Sequence, residues 1–174
     1  MKKDGGGISY LQELVRKYPN DIELGRAIRS MSLNLSAEVD MKGKVFAQKG
    51  EVIGIDFDGT CVTHEFPHVG KDIGAIPVLK RLVENGNNLV LWTMRSGKFL
   101  EDAIKWFEEN GIPLWGIQTN PLQHTWTSSP KAYCGIYIDD AALGCPLEMN
   151  LELSNRHFVN WKQVELYLES MGII

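Results

Sequence analysis

From residue 51 onward, short unbroken apolar runs alternate with stretches of helical period. Val52, Ile53, Gly54 and Ile55 contain no polar position, which predicts a short strand buried on both faces. Residues 76–84 read as a helix that stops at Asn85-Gly86, and residues 88–93 as a second buried strand. Residues 98–109 place Phe99, Ala103, Trp106 and Phe107 at helical spacing, predicting a helix that ends at Asn110-Gly111 with these aromatics in the core. A short strand near 114–117 leads into a polar loop, residues 135–139 repeat the apolar strand pattern, and 157–159 supply a last strand before a helix over 161–171. Strands alternating with helices predict a mostly parallel sheet covered on both faces and joined by right-handed crossovers.

The first fifty residues differ in style. Gly5-Gly6-Gly7 precedes Ile8, Leu11, Leu14 and Val15, a short helical pattern that ends near Pro19. Asp21 can cap a second helix packed through Ile22, Ala27, Ile28 and Met31, and residues 33–39 and 44–47 read as extended before a turn at Gly50. We therefore divide the chain into an N-terminal extension, 1–50, and a main domain, 51–174.

Composition adds limits. The chain has 174 residues, of which 44% are hydrophobic and 23% charged, an ordinary globular balance for one domain with a proper core. Its net charge of −4 gives no overall basic footprint, so charge does not indicate nucleic acid as a partner, although nucleic-acid ends stay open as substrates. Lys2 and Lys3 are followed by no apolar run and no stretch is long enough to span a bilayer, so the expectation is a cytoplasmic protein without a membrane partner. Cys61, Cys134 and Cys145 are odd in number and widely spaced, which favours reduced thiols over a disulfide framework.

The chemistry gathers at strand ends. Asp56 and Asp58 follow the first strand at i, i+2, so alternation puts both carboxylates on one side, where they repel unless a cation lies between them. Thr93 ends the second strand and Asp139-Asp140 end another, and in parallel sheets the ligand crevice lies beyond the strand carboxyl ends. Four carboxylates in one crevice exceed what one lysine can offset. An oxygen-only pocket of that kind suits Mg²⁺, usually held by carboxylates together with a substrate phosphate, and so points to phosphoryl transfer.

Asp56-Phe57-Asp58-Gly59-Thr60, then Thr93 in Leu-Trp-Thr-Met-Arg, then Lys131, then Asp139-Asp140 form an ordered set that resembles the four motifs of the haloacid dehalogenase superfamily. A strand-end Asp with an Asp-Gly turn is common in any protein, but that reading does not account for the later residues in the same order. The resemblance covers roughly residues 52–144. It implies an α/β, Rossmann-like three-layer sandwich, and the short intervals between the motifs imply no large cap domain. It further implies a Mg²⁺-dependent phosphohydrolase that cleaves a phosphomonoester through an aspartyl-phosphate.

Residue by residue, the resemblance makes Asp56 the nucleophile and a metal ligand. Asp58 is implied as general acid and base, its backbone carbonyl reaching the metal. Thr93 and the backbone of Phe57, Asp58 and Gly59 would bind the phosphoryl group, Lys131 would offset its charge with Lys98 as fallback, and Asp139 and Asp140 would complete the metal site. Arg95 is read equally as a substrate contact or as the start of the next helix. His64 and His68 are expected at the entrance in preference to a transition-metal set with Cys61 and Glu65, and His124 and Trp126 opposite them.

Two other classes remain. A phosphorylated receiver uses similar groups, but places its acidic pair early and its phospho-accepting Asp in mid-chain. A non-hydrolytic interaction protein on the same fold would use residues 1–50 for binding. The substrate class is open, and so is the oligomeric state.

Overall fold

The computed structural model describes residues 50–174, which belong to the second of the two units into which the chain divides, Gln48–Ile174. The two expected helices and the extended segments of the first fifty residues lie outside the described residues. Four strands make a parallel sheet in the order β3-β2-β1-β4, with β1 at Val52–Ile55, β2 at Asn88–Leu91, β3 at Gly116–Ile117 and β4 at Ile136–Ile138. The expected α/β, Rossmann-like class is what the structure shows, and among the described residues no large cap interrupts it. Among the described residues, no helix is long and apolar enough to cross a membrane.

Each helix forms where its sequence carries a single apolar face. In α1, Ala75–Glu84, Ala75, Val78, Leu79 and Leu82 fall at i, i+3, i+4 and i+7 and are all buried. Pro77 sits in the first turn, where a missing N–H costs no helical bond, and Asp72 accepts from the backbone N–H groups of Gly74, Ala75 and Ile76. Helix α2, Gly97–Glu109, buries Ala103 and Phe107, and α3, Trp161–Ser170, is capped by Asn160 and buries Trp161, Val164 and Leu168.

The register assigns the two faces of the sheet. Ile53 pairs with Leu89 and Ile136, and Ile55 with Leu91 and Ile138, so these side chains share one face. They form the main core with α1, α2 and α3. Val52 and Val90 belong to the opposite face, packed with Ala132, Cys134, Trp92, Trp115 and Tyr137. This arrangement follows from handedness. The steps β1-α1-β2 and β2-α2-β3 run in one direction, and the return from β3 to β4 must then pass over the other face.

Among the described residues, that third layer is an irregular crossover, residues 118–135, with one 3-10 turn at Gln123–Thr125. Buried side-chain amides stand in for helical hydrogen bonds. Gln123 donates to the carbonyls of Ser129 and Lys131 and accepts from Tyr133 N–H, while Asn120 donates to the Tyr133 carbonyl.

Three details differ from expectation. The strand expected at 157–159 is β6, Phe158–Val159, which pairs antiparallel with β5, Leu147–Glu148, outside the central sheet. The second strand ends at Leu91, because Thr93 N–H is taken by the Gln118 side chain. Phe99, expected in the core, is 40% exposed, whereas Phe107 is buried and Trp106 packs against the core.

Candidate functional site

The chain leaves β1 toward β2 on one side and comes back to β4 on the other, so the carboxyl ends of β1 and β4 flank the switch point where open parallel sheets bind ligands. Asp56 follows β1, and Asp139 and Asp140 follow β4. One carboxylate oxygen from each of the three lies within 4.8 Å of the others. The three could together hold a metal ion. The donors are all oxygens, which fits a hard divalent cation and does not fit a thiolate or imidazole metal.

Burial, together with the charges of Asp139 and Asp140, pushes the Asp56 carboxyl up to about 7, against the opposing hydrogen bonds from Phe57 N–H and Thr60. The crowding therefore favours a proton, or a cation, at Asp56 near neutral pH. Thr60 ties the cluster together: its hydroxyl donates to Asp56 Oδ2 at 3.1 Å and accepts from Asp140 N–H at 3.0 Å. Asp139 Oδ1 accepts from Ala141 N–H at 2.8 Å, which fixes its rotamer.

Asp58 has a different environment. The loop after Ile55 turns on Phe57, whose carbonyl accepts from Thr60, Cys61 and Val62 N–H while its ring is buried against Trp106 and Phe107. Phe57 thus anchors the loop with its side chain and leaves its backbone at the crevice. The Asp58 carboxylate takes a two-point salt bridge from Arg95, Nε to Oδ2 and Nη2 to Oδ1, both at 2.7 Å. Asp58, expected among the metal ligands, is not brought into the carboxylate cluster by its side chain.

Arg95, considered as a substrate contact, is only 2% exposed. Its other donors reach the carbonyls of Pro67 and His68, and its guanidinium lies 5.0 Å from the Phe57 ring centroid and 5.4 Å from that of Phe66. It joins the Asp58 loop to the 63–71 flap. Thr93 is buried two residues beyond β2, and its oxygen accepts from Arg95 N–H at 3.3 Å, which leaves the hydroxyl proton to donate.

Neither lysine considered for the charge-offsetting role meets the cluster. Lys131 is exposed, with Nζ 5.3 Å from the Tyr137 ring centroid, and Lys98 pairs with Asp102 on α2. Among the described residues, no lysine forms an ion pair with Asp56, Asp139 or Asp140.

His64, expected at the entrance, instead places Nε2 3.0 Å from Asp140 Oδ2. Gly59 makes that approach possible. Its φ of +85° favours glycine, and a Cβ there would collide with the His64 ring and lie 2.8 Å from Asp140 Oδ2. Cys61, His64, Glu65 and His68 form no metal-ligating group among the described residues. His124 is exposed with Nδ1 2.7 Å from the Pro121 carbonyl oxygen, and Trp126 packs edge-on against Tyr133.

Two supports were not legible as site residues. Gln118, after β3, accepts from Thr93 N–H at 3.1 Å and donates to the Thr93 and Arg95 carbonyls, with its own backbone at φ +57°. A non-glycine residue in the left-handed region is uncommon and was invisible in an isolated Ile-Gln-Thr stretch. From the C-terminal part, Val159 N–H donates to the Gly59 carbonyl at 2.9 Å and Trp161 Nε1 to the Thr60 carbonyl at 2.6 Å. In the sequence Trp161 reads as the start of a helix and shows nothing of the loop it grips.

No family model matches the chain, and no curated protein matches it. Among solved structures, a conserved protein from Bacteroides thetaiotaomicron is similar at 27% identity, with a TM-score of 0.58, over 70% of this chain and 92% of that one. The likeness accords with the α/β fold.

Proposed function

We propose that the protein is a Mg²⁺-dependent phosphohydrolase that cleaves a phosphomonoester through phospho-Asp56. The observation that carries this reading is the sorting of two aspartates from one short loop. Asp56 stands with Asp139 and Asp140, whereas Asp58 stands on Arg95. Carboxylates in distinct environments take distinct roles.

Asp56, Asp139 and Asp140 would hold Mg²⁺ through their side chains. Asp58 would add its main-chain carbonyl, in keeping with the haloacid dehalogenase resemblance. The ion supplies the positive field in which a phosphate dianion can stand beside three carboxylates. An Asp56 oxygen attacks phosphorus as the ester P–O bond breaks. Asp58, after taking a proton from solvent, would give it to the departing oxygen, then take one from the water that cleaves the acyl phosphate. Each Asp58 oxygen keeps a lone pair beside its Arg95 contact for these transfers. Thr93 donates to a phosphoryl oxygen together with the backbone N–H groups of the 57–59 turn. Lys131 keeps its proposed charge-offsetting role only if its exposed side chain swings inward when substrate binds.

The test is turnover of a generic aryl phosphate in Mg²⁺ and in chelator. Turnover that needs the ion is the expected result, and equal rates in both would remove the proposal. A long-lived phosphoprotein formed from acetyl phosphate would favour the receiver instead.

The Gln118 clamp gives an independent check. Gln118→Gly relaxes the left-handed backbone and removes the side chain that holds Thr93 and Arg95. The expected result is a fall in kcat/KM on the order of 10- to 100-fold, because small displacements of positioning groups cost that much. Steady-state kinetics on the folded variant measures it. An unchanged value would show that the clamp serves the fold alone.

A further inference from the structure

We propose that the exposed aromatic rim beside Arg95, formed by Phe66, Met94 and Phe99, is the leaving-group subsite, and that the substrate is a phosphomonoester whose alcohol carries an aromatic or flat apolar group. This rests on the phosphohydrolase reading and adds the substrate class to it.

Two of the three side chains are in contact. Phe66, in the flap, is 60% exposed, and its ring meets that of Phe99, at the start of α2, edge to face at 5.2 Å. Met94 lies between two buried site residues, Thr93 and Arg95, and is 97% exposed. The backbone after β2 turns Thr93 and Arg95 inward and leaves Met94 outside. Phe66 and Phe99 in contact, with Met94 next to Arg95 in the chain, present exposed apolar surface that an apolar ligand group would remove from water.

In-line displacement gives the rim its role. The leaving oxygen departs opposite the attacking Asp56 oxygen and must lie within reach of the proton on Asp58. Asp58 is fixed by Arg95 at 2.7 Å, and the same guanidinium lies 5.4 Å from the Phe66 ring centroid. The general acid and the aromatic rim are therefore one guanidinium apart. On this proposal, whatever is attached to the leaving oxygen emerges on the Asp58 side, where Arg95 links Asp58 to Phe66. A polyol there would face side chains that offer it no hydrogen bond, whereas a ring would stack on Phe66 and cover Met94. Among the described residues no large cap lies over the crevice, and loop-borne side chains are what they offer the alcohol.

The experiment uses the full-length protein with Mg²⁺ and three alkyl phosphates, ethyl, glycerol and 2-phenylethyl, so that every leaving group is an aliphatic oxygen. The expected kcat/KM for the 2-phenylethyl ester exceeds that for the glycerol ester by about tenfold or more, mainly through KM. In Met94→Ser, and separately in Phe66→Ser, the ratio of these two values falls by about tenfold. Met94 is almost wholly exposed, so its variant tests the rim without disturbing the Arg95 contacts. Turnover of all three esters at similar kcat/KM, or a ratio unmoved by both variants, overturns the subsite and leaves the hydrolase reading standing. Absence of turnover on all three esters and on an aryl phosphate overturns both.

Discussion

Asp56→Asn is expected to abolish turnover while making the metal-free protein more stable above neutral pH. The first effect follows from chemistry: an amide in place of the nucleophile should lower kcat by on the order of 10⁴-fold or more. The second follows from the carboxyl pushed up to about 7 by burial and by Asp139 and Asp140. In the unfolded chain the same group ionises near 3.8. The folded state thus keeps a proton that the unfolded state gives up, and stability from this group falls as pH rises from about 4 through about 7. Above that range the loss is on the order of 4 kcal/mol, from roughly three pH units at 1.36 kcal/mol each. Asparagine cannot ionise, so the variant should lack this slope. Chemical denaturation in chelator at pH 5 and pH 8 measures the difference. The parent should lose stability between the two, the variant much less, and added Mg²⁺ should restore the parent at pH 8. Equal slopes in parent and variant would show that Asp56 is not the crowded carboxyl.

Much of this site was legible because strand ends announce themselves. An apolar run closing in Asp56 or Asp139 fixes both a buried strand and the end of it that faces the crevice, and chain order then places Asp139 and Asp140 beside Asp56. The limits of the sequence lie with side chains whose partners are distant in the chain. Alternation put Asp56 and Asp58 on one side, but the loop leaves strand geometry after Ile55, so Asp58 joins Arg95, 37 positions away. Gln118 carries no local pattern, since its meaning depends on Thr93 and Arg95 meeting it across the β2–β3 pair. Trp161 read as a helix residue, and its indole N–H spans 101 positions to hold Thr60. Phe99 matched the helical spacing of core aromatics, yet it precedes the buried face of α2 and meets Phe66 at the surface. Periodicity reports which face an element buries and not what its ends touch.

Arg95 and Asp58 should fail in different ways, although each is the other's partner. Arg95 supplies four hydrogen bonds, two to Asp58 and one each to Pro67 and His68, from a nearly buried guanidinium. Lysine keeps the charge but cannot reproduce the planar fork, and the flap carbonyls would lose their donors. Arg95→Lys is therefore expected to cost about 3 kcal/mol, a fall of about 10 °C in Tm, with kcat reduced because Asp58 and the 63–71 flap are no longer held. Asp58→Asn keeps one acceptor for Arg95 but leaves the nearly buried guanidinium without its counter-charge, so a stability loss of about 3 kcal/mol is expected here too. Its distinguishing defect is chemical: without a base to activate water, the acyl phosphate on Asp56 persists. Rapid-quench kinetics with an aryl phosphate, whose leaving group needs little acid assistance, should show a burst of about one equivalent of phenol per site and then near arrest. Intact mass should show one added phosphoryl group, lost in the double variant with Asp56→Asn. Steady turnover without a burst in Asp58→Asn would remove Asp58 from the hydrolytic step and leave the Arg95 pair as a structural tie between loop and flap.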